Sequence, residues 1–465
     1  MLSLFAGSAL LCARPATAQH RGSVAVWLTT PDRTSLLALQ PQPLEFQKTK
    51  STLPEIDVGP SHKFQTMDGF GLALTGGSAQ LIMRMSAPQR AALLQELFGR
   101  GTGDIGISYL RVSLGSSDMN DHPFTYDDLP PGETDPDLAK FSLGPDQTSV
   151  VPVLQQILAI NPSIPILATP WSAPAWMKTN GELKGGNLKS EYYDLYARYF
   201  LKYVQTMEAS GIHIAAVTPQ NEPLNPDNTP SLVMQASEED QFIRQSLGPI
   251  FREAGVSTKI IVYDHNCDRP DYPLAILADP QARQYVDGSA FHLYAGDITA
   301  LTKVHDAWPD KNIYFTEQMV VDDPNDARLD IASPVKDLMI GAPRNWSRTV
   351  LLWNLAADPK FEPHTNDGGC PVCEGAVTID GDKVTRNAAY YTIAHASKFV
   401  PPGSVRVASS DSDTVPNVAF LTPQGLTVLI VANSGASPQD FQIRWRGKRA
   451  AATLSAGAVA TYVWK

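Results

Sequence analysis

The stretch Ile214-Ala215-Ala216-Val217-Thr218-Pro219-Gln220-Asn221-Glu222-Pro223 joins a short apolar run to a polar turn between two prolines. An apolar run of this length that stops at a proline is typical of a buried strand. Similar runs recur between about Phe64 and Asn354, and helix-like stretches separate them, which is typical of a parallel sheet with crossover helices. The predicted strands are residues 67–74, 107–114, 164–169, 214–218, 260–263, 289–294, 313–316 and 350–353.

Eight such strands predict a closed (β/α)8 barrel, also called a TIM barrel, which is an α/β fold. The stretches between the strands support this prediction. Residues 87–98 begin behind Ser86, a residue type that favours the N-cap of a helix, and residues 192–209 carry apolar side chains at helical spacing. Both stretches are predicted to be crossover helices.

The two ends of the chain have a different pattern. Residues 24–28 alternate with period two, and residues 405–464 form successive strand-like runs with turns at 423–425 and 434–435. These runs predict a flanking β-sandwich built from N- and C-terminal strands, with the barrel inserted between them. The predicted divisions are 1–18 for a signal peptide, 19–62 for the N-terminal sandwich strands, 63–375 for the barrel and 376–465 for the C-terminal barrel edge and sandwich.

The first residues have the composition of an export signal. An apolar stretch within residues 2–11 precedes Ala16-Thr17-Ala18, a small-x-small site that permits cleavage before Gln19. No Lys or Arg precedes the apolar stretch, which departs from the usual pattern. The segment predicts a secreted or periplasmic protein.

Charge and hydropathy exclude several classes of partner. The 465-residue chain has a formal charge of −11 and no cluster of Lys and Arg, which argues against binding to nucleic acid or to an anionic membrane surface. No apolar run reaches the roughly 20 residues that a transmembrane helix needs. A neutral substrate such as a carbohydrate fits these properties, and the oligomeric state is not indicated.

The pair Cys370-Pro371-Val372-Cys373 has the spacing of half a zinc site. A complete site needs further ligands, and His364 is the one other soft ligand close in sequence. A loop closed by a local disulfide in an oxidising compartment is therefore favoured over zinc, and a catalytic redox role is favoured least. No metal or cofactor is predicted.

Chemistry in a (β/α)8 barrel is carried by residues at the C-terminal ends of the strands. The polar and aromatic residues at those positions are Asp118, Trp171, Asn221, Glu222, His292, Tyr294, Glu317, Trp353 and Asn354. Glu222 and Glu317 follow the fourth and seventh strands, so they are expected to face one another across the barrel mouth. Two carboxyl groups about 5 to 5.5 Å apart are what retaining hydrolysis of a glycosidic bond requires.

The surroundings of the two glutamates suggest different roles. Glu222 is predicted to be the general acid/base, because its uncharged neighbours would raise the pKa of its carboxyl group. Glu317 is predicted to be the nucleophile, with Gln318 or Tyr294 as a hydrogen-bond donor that keeps it ionised. Asn221 is placed to hold the 2-OH of the sugar.

Each of these residues also has an ordinary structural explanation. A glutamate at a strand end is usually solvated or salt-bridged, His292 alone is more often a satisfied buried histidine, and Asp118 fits a turn cap. Trp171 and Trp176 fit either a core or a sugar-stacking wall. A carbohydrate-binding protein without catalysis remains an alternative, although two intact glutamates argue against it. A metalloenzyme is disfavoured, because no cluster with ligand spacing occurs at the strand ends.

A series of motifs follows the predicted elements in order. They are Asp68-Gly69-Phe70-Gly71, Arg111-Val112-Ser113 with Ser117-Asp118, Pro170-Trp171-Ser172-Ala173-Pro174-Ala175-Trp176, Pro219-Gln220-Asn221-Glu222-Pro223, Phe315-Thr316-Glu317, Trp353-Asn354-Leu355 and His395-Ala396-Ser397-Lys398-Phe399-Val400-Pro401. The series resembles the glycoside hydrolase family 30 enzymes, which include lysosomal glucosylceramidase, and the likeness covers most of the chain. The resemblance implies a (β/α)8 barrel with a flanking β-sandwich and a retaining mechanism.

The same resemblance implies roles for individual residues. It makes Glu222 the acid/base and Glu317 the nucleophile, with Tyr294 near the nucleophile and His292 in the pocket. It implies a −1 sugar pocket lined by Asp118, Trp171, Asn221 and Trp353.

The loop at residues 367–375, Asp-Gly-Gly-Cys-Pro-Val-Cys-Glu-Gly, is unlike the corresponding stretch of glucosylceramidase. It is more similar to that of bacterial and fungal members that act on β-1,6-glucans. A β-1,6-glucan or gentio-oligosaccharide is therefore the preferred substrate, with glucosylceramide as the alternative.

Overall fold

In the computed structural model, the structure describes residues 22–49, 52–323 and 325–465. The predicted signal peptide at residues 1–18 lies outside the described residues. No described helix combines the length and the apolar character needed to cross a membrane.

The strands of the described residues extend from near the N-terminus to the end of the chain. In chain order they are β1 (Ser23–Thr29), β2 (Ala38–Leu39), β3 (Leu44–Glu45), β4 (Glu55–Thr66), β5 (Gly69–Leu74), β6 (Tyr109–Ser113), β7 (Ile166–Thr169), β8 (Ala216–Val217), β9 (Lys259–Cys267), β10 (Val286–Gly296), β11 (Asn312–Glu317), β12 (Ser347–Leu352), β13 (Ala356–Ala357), β14 (Val377–Asp380), β15 (Lys383–Arg386), β16 (Val405–Ser409), β17 (Asn417–Leu421), β18 (Thr427–Ala432), β19 (Gln439–Trp445), β20 (Lys448–Leu454) and β21 (Val459–Trp464).

Most helices lie between the strands of the central sheet. They are α1 (Gly76–Arg84), α2 (Ala87–Phe98), α3 (Val150–Ile160), α4 (Tyr193–Ala209), α5 (Ala236–Phe242), α6 (Gly248–Glu253), α7 (Asp271–Ala278), α8 (Pro280–Arg283), α9 (Ala300–Ala307), α10 (Ala332–Pro334), α11 (Gly341–Arg344) and α12 (Ala388–Ser397). The π-helical turns Ile243–Leu247 and Val335–Ile340 join α5 to α6 and α10 to α11.

Strands β5 to β12 close into a parallel barrel in chain order, which confirms the predicted (β/α)8 fold. Each predicted strand overlaps one observed strand. The predicted helices at 87–98 and 192–209 correspond to α2 and α4, and Ser86 stands at the N-cap of α2 without a capping hydrogen bond from its side chain.

The interior of the barrel is apolar in the middle of its strands and polar at their C-terminal ends. The apolar layer consists of Tyr109, Leu167, Ala216, Ile261, Ala290, Tyr314 and Leu351. Because side chains alternate along a strand, the residue two positions later faces the same interior one layer higher. On six of these strands that residue is Arg111, Thr169, Thr218, His292, Thr316 or Trp353. The apolar layer therefore supports a polar and aromatic layer at the C-terminal end of the barrel.

The sandwich is built from both ends of the chain, as predicted. Strand β1 pairs with β21, and β4 pairs with β16 and β19. Strand β4 continues to Thr66, beyond the predicted division at residue 62. Helix α12, which follows residue 375, packs against the barrel strand β5.

A buried histidine connects the two parts of the molecule. His395 lies on α12, and its Nδ1 is 2.9 Å from Thr461 Oγ1 of β21. Its Nε2 is 2.8 Å from Thr29 Oγ1 of β1. One imidazole of the barrel thus bonds to two neighbouring sandwich strands.

Candidate active site

A cleft of about 450 Å³ opens at the C-terminal end of the barrel. Seven of the eight predicted site residues line it, namely Asp118, Trp171, Asn221, Glu222, Tyr294, Glu317 and Trp353. The eighth, His292, is buried and hydrogen-bonds Glu222. Residues from six strand ends thus meet at one place.

The two glutamates lie close together beside His292. A carboxylate oxygen of Glu222, a carboxylate oxygen of Glu317 and one ring nitrogen of His292 are all within 4.8 Å of one another. His292 Nδ1 is 3.2 Å from Glu222 Oε1 and 3.9 Å from Glu317 Oε1. This proximity is in the range of the short separation that retaining glycosidases use, since inverting enzymes need about 6.5 to 9.5 Å.

The backbone at Glu222 has an unusual conformation. Its φ angle is +44°, in the left-handed region that few non-glycine residues adopt. The Glu222 amide donates to the carbonyl oxygen of Asp264 at 3.0 Å, and Asn225 Nδ2 donates to Glu222 Oε2 at 2.7 Å. With His292 at Oε1, both carboxylate oxygens are held in place by neighbours. Strain of this kind clusters at functional sites.

Glu317 ends β11 and is held by two donors. Tyr294 Oη donates to Oε1 at 3.0 Å, and Arg111 Nη1 donates to Oε2 at 2.5 Å. Of the two expected donors, Tyr294 therefore makes the hydrogen bond. Gln318 does not, because its Nε2 is directed to the carbonyl of Met319.

Arg111 is the first functional residue that sequence analysis missed. Its guanidinium group is buried over the ring of Trp171 at 4.9 Å and near that of Trp353 at 5.8 Å. Its Nη2 donates to Asn221 Oδ1 at 2.7 Å and to Asp264 Oδ2 at 2.9 Å. A charged residue in the middle of an apolar strand was the signal, since such a group needs buried partners.

Asp264 is the second residue that was missed. Its carboxylate is buried and accepts hydrogen bonds from Arg111, Thr169, Thr218, His292 and Thr316. It directly follows the fifth predicted strand, at residues 260–263, which is the position where chemistry was expected.

The predicted pKa shift of Glu222 was wrong. Burial raises the pKa of this carboxyl group, but the hydrogen bond and charge of His292 outweigh it and lower the pKa to about 2. Burial alone would lower the pKa of His292, whereas Glu317, Asp264 and Glu222 raise it to about 9. At neutral pH, the proton that the pair shares therefore resides on His292.

The other carboxyl groups of the site differ strongly in pKa. Burial raises the pKa of Glu317, although His292 and Arg111 oppose it. Burial, with Glu317 and Glu222 nearby, raises the pKa of Asp118 to about 8. Burial would also raise the pKa of Asp264, but Arg111 and His292 hold it far below its ordinary value. At neutral pH Asp118 is thus protonated and is able to donate a hydrogen bond.

Aromatic and sulfur-containing side chains form one wall of the cleft. The rings of Trp171 and Trp353 are 5.5 Å apart, and Cys373 packs in the same apolar cluster. Cys373 is joined to Cys370 by a disulfide, the favoured alternative for this pair. Trp176 is not part of the wall, because its Nε1 donates to the carbonyl of Asp127.

Glu222, His292 and Glu317 are also close enough together to bind a metal ion. Arg111 already pairs with Glu317, and both nitrogens of His292 are engaged by Glu222 and Asp264. These contacts suit a proton-transfer site better than a metal site, because a histidine ligand needs a free lone pair.

The chain matches known proteins over most of its length. Residues 67–400 match the model of the glycosyl hydrolase family 30 TIM-barrel domain, and residues 403–462 match that of the family's beta sandwich domain. Endo-1,6-beta-D-glucanase neg1 of Aspergillus fumigatus is 35% identical over 405 residues, covering 81% of this chain and 80% of the relative. Lysosomal acid glucosylceramidase of Mus musculus is 30% identical over 436 residues, covering 87% and 82%.

A solved structure of a relative extends the match. The endo-beta1,6-glucanase BT3312 is 34% identical to this chain, with a TM-score of 0.86 over 95% of this chain and 99% of that one. The match covers both the barrel and the sandwich. The chain is therefore a glycoside hydrolase that belongs to glycosyl hydrolase family 30.

Proposed function

We propose that this glycoside hydrolase cleaves β-glucosidic bonds with retention of configuration, with Glu222 as acid/base and Glu317 as nucleophile. The observation that carries the proposal is the pair of buried carboxylates within 4.8 Å of each other, one following the fourth barrel strand and one ending the seventh. In the first step, Glu317 bonds to the anomeric carbon while Glu222 gives a proton to the leaving oxygen. In the second step, Glu222 takes a proton from water, which attacks the same carbon and releases Glu317.

The proton for the first step comes from the His292–Glu222 pair. Transfer from His292 Nδ1 to Glu222 Oε1 over 3.2 Å leaves a neutral imidazole that still donates Nε2–H to Asp264. The net charge of the pair does not change. A sugar that displaces water from the cleft favours this transfer, because a dry environment disfavours two separated charges.

The −1 sugar is held by Asp118, Trp171, Asn221 and Trp353. Asn221 Oδ1 already accepts from Arg111, so Nδ2 is the donor left for the 2-OH of the sugar. Protonated Asp118 donates to a second hydroxyl. The paired indole rings of Trp171 and Trp353 pack against the apolar face of the pyranose.

The preferred substrate is a β-1,6-glucan or gentio-oligosaccharide. Two of the similar proteins are named as endo-1,6-glucanases, at 34 to 35% identity, and the glucosylceramidase is the more distant relative at 30%. The loop that contains Cys370 and Cys373 also lines the cleft, where it would contact the substrate.

The protein is further proposed to act outside the cytoplasm. The apolar stretch and small-x-small site at residues 2–18 support export. The Cys370–Cys373 disulfide supports it as well, because such bonds persist in oxidising compartments.

The test is to incubate the protein with β-1,6-, β-1,3- and β-1,4-glucans, xylan, aryl β-glucoside, aryl β-xyloside and glucosylceramide, and to analyse the products over time. Cleavage of the β-1,6-glucan into oligosaccharides whose first-formed anomer is β, as seen by proton NMR, is expected. A first product with the α anomer would contradict retention. Cleavage of glucosylceramide alone would show that glucosylceramide, and not a β-1,6-glucan, is the substrate. Tight glucan binding without any product would contradict catalysis.

A further inference from the structure

His265 faces the cleft but has no part in the mechanism described so far. It lines the cleft beside Glu222, and its side chain is buried with 9% relative exposure. The preceding residue is Asp264. Its carboxylate accepts a hydrogen bond from His292, and its backbone carbonyl accepts one from the Glu222 amide. His265 is therefore attached to the framework that holds Glu222.

The backbone is distorted where these two residues occur. Tyr263 and Asp264 have φ angles of +79° and +57°, and the pairing of β9 with β10 shifts register between Tyr263 and His265. Successive side chains of a regular strand point to opposite faces. A bulge re-aims them, and here it brings both Asp264 and His265 to the site. Such a distortion is costly for non-glycine residues, which suggests that the placement of both side chains matters.

The two ring nitrogens of His265 have different surroundings. Among the described residues, Nδ1 is buried and has no hydrogen-bond partner. Burial lowers the pKa of this imidazole, so the ring is neutral and carries one N–H. A buried N–H without an acceptor is a costly arrangement, which favours the tautomer with hydrogen on Nε2. Nε2 is then the donor that His265 offers to the cleft.

The position of His265 corresponds to the leaving-group side of Glu222. The proposed −1 pocket is formed by Trp171, Trp353 and Glu317, so the leaving sugar is expected to occupy the rest of the cleft. The polar residues that line the rest of the cleft are Asn225, Asp227 and Asn228, from the loop after Glu222, and His265 and Asn266, near the end of β9. A leaving sugar must pass this wall, because the acid/base protonates the oxygen that joins it to the −1 unit.

We propose that His265 determines specificity for the leaving sugar by donating Nε2–H to a hydroxyl of the glucosyl unit next to the cleaved bond. This inference rests on the proposed function. In a β-1,6 link the leaving oxygen is the exocyclic O6, so the ring of the leaving sugar lies one carbon further from Glu222 than in other linkages. His265 lies next to His292, which bonds Glu222, with ring centroids 6.4 Å apart, and it lines the same cleft, so its donor is within the part of the cleft next to the acid.

The test compares two substrates and two variants. His265→Phe keeps a ring but removes the donor, and His265→Gln keeps a donor. The substrates are a gentio-oligosaccharide, which has a leaving sugar, and 4-nitrophenyl β-glucoside, which has none. With His265→Phe we expect kcat/KM to fall about tenfold on the oligosaccharide, the usual effect of one neutral hydrogen bond, and to change less than twofold on the aryl glucoside. His265→Gln should recover part of the loss.

An equal fall on both substrates, or a shift in the pH profile on the aryl glucoside, would show that His265 acts through Glu222 and would overturn the inference. Unchanged kcat/KM on the oligosaccharide would also overturn it. His213→Phe, at an exposed position before β8, is the matched control and should leave both substrates unaffected. If the wild-type protein cleaves a different disaccharide, the β-1,6 proposal fails. The fall in kcat/KM caused by His265→Phe on that disaccharide, compared with the fall on the aryl glucoside, then decides the role of His265.

Discussion

Arg111 Nη1 lies 2.5 Å from Glu317 Oε2, and the two side chains are buried together in the floor of the cleft. The other amino group of Arg111 reaches Asp264, so that one cation pairs with two buried carboxylates. Removing one partner of a buried ion pair leaves an uncompensated charge.

Arg111→Met is expected to lower the free energy of unfolding by about 3 to 5 kcal/mol, because Glu317 and Asp264 lose their shared cation. Chemical denaturation measures this change. Arg111→Lys keeps the positive charge but loses the planar guanidinium group that bonds Glu317, Asn221 and Asp264 together. Compared with Arg111→Met, it should therefore recover more of the stability than of kcat. Equal recovery of both quantities would contradict the positioning of Glu317 by Arg111.

Glu317→Gln is expected to abolish hydrolysis while the circular dichroism spectrum stays native, because the amide cannot bond to the anomeric carbon. Full activity of Glu317→Gln would refute the assignment of the nucleophile.

Glu222→Gln should lower kcat by about 10² to 10⁴ on a substrate with a poor leaving group, the usual contribution of general acid catalysis. Azide should restore turnover of Glu222→Ala on an activated aryl glucoside and give a β-glucosyl azide. An α-glucosyl azide from this variant would show that Glu222 is the nucleophile and Glu317 the acid/base.

The shared proton of His292 and Glu222 predicts the alkaline limb of the pH profile. The pKa of His292 is raised to about 9, so kcat/KM is expected to fall as the pH rises through that value. His292→Asn should move the limb to lower pH, since Glu222 then keeps its proton without this partner. An unmoved limb would show that another group is titrating.

The raised pKa of His292 also makes the stability of the fold depend on pH. The folded pKa of His292 lies above its ordinary value of 6.5, so its stabilising effect is complete below pH 6.5 and is lost as the pH rises through about 9. The melting temperature of the wild type should therefore fall over this range more than that of His292→Asn.

The predicted fold depended on strong local signals. Short apolar runs with polar ends located all eight barrel strands, and period-two alternation located the sandwich, because both patterns reflect which side chains face a core. Element lengths were less predictable. Strand β8 shortens to Ala216–Val217, where the chain turns toward Glu222, and β9 and β10 extend into the site.

The site was predictable where a residue's position alone decides its role, and less so where partners decide it. Glu222 and Glu317 were expected at strand ends, and they lie together in the cleft. Arg111 and Asp264 were missed, because their function depends on contacts between residues that are far apart in sequence. The pKa of Glu222 was predicted in the wrong direction for the same reason, since His292 comes from another strand.

Replacing both Cys370 and Cys373 by serine is expected to lower the free energy of unfolding by about 2 kcal/mol, the effect of closing a short loop. Activity on glucan should fall more than activity on aryl glucoside, because Cys373 packs with Trp171 and Trp353 in the cleft wall. A reductant should lower the melting temperature of the wild type but not that of the double variant. Sensitivity of the double variant to reductant would implicate a different group.

His395 predicts acid sensitivity of the contact between barrel and sandwich. Burial lowers its pKa to about 3, below the ordinary 6.5, so its stabilising effect is complete above pH 6.5 and is lost as the pH falls toward 3. His395→Ala should cost about 2 kcal/mol or more, because Thr29 and Thr461 lose a buried partner. The variant should also lose less stability than the wild type between pH 6.5 and 4, and an equal loss would exclude His395 as the cause.

Pairing of β1 with β21 has a consequence for the order of events on the ribosome. The chain emerges from its N-terminus, so β1 and β4 leave the exit tunnel long before their partners β21, β16 and β19. Until then, β1 can pair only with β2 and β3, and its edge toward β21 and both edges of β4 are open to strands of other chains. The sandwich can close only after β21 has been synthesised, and a nonsense mutation that removes β21 would leave one edge of β1 permanently exposed as a seed for aggregation.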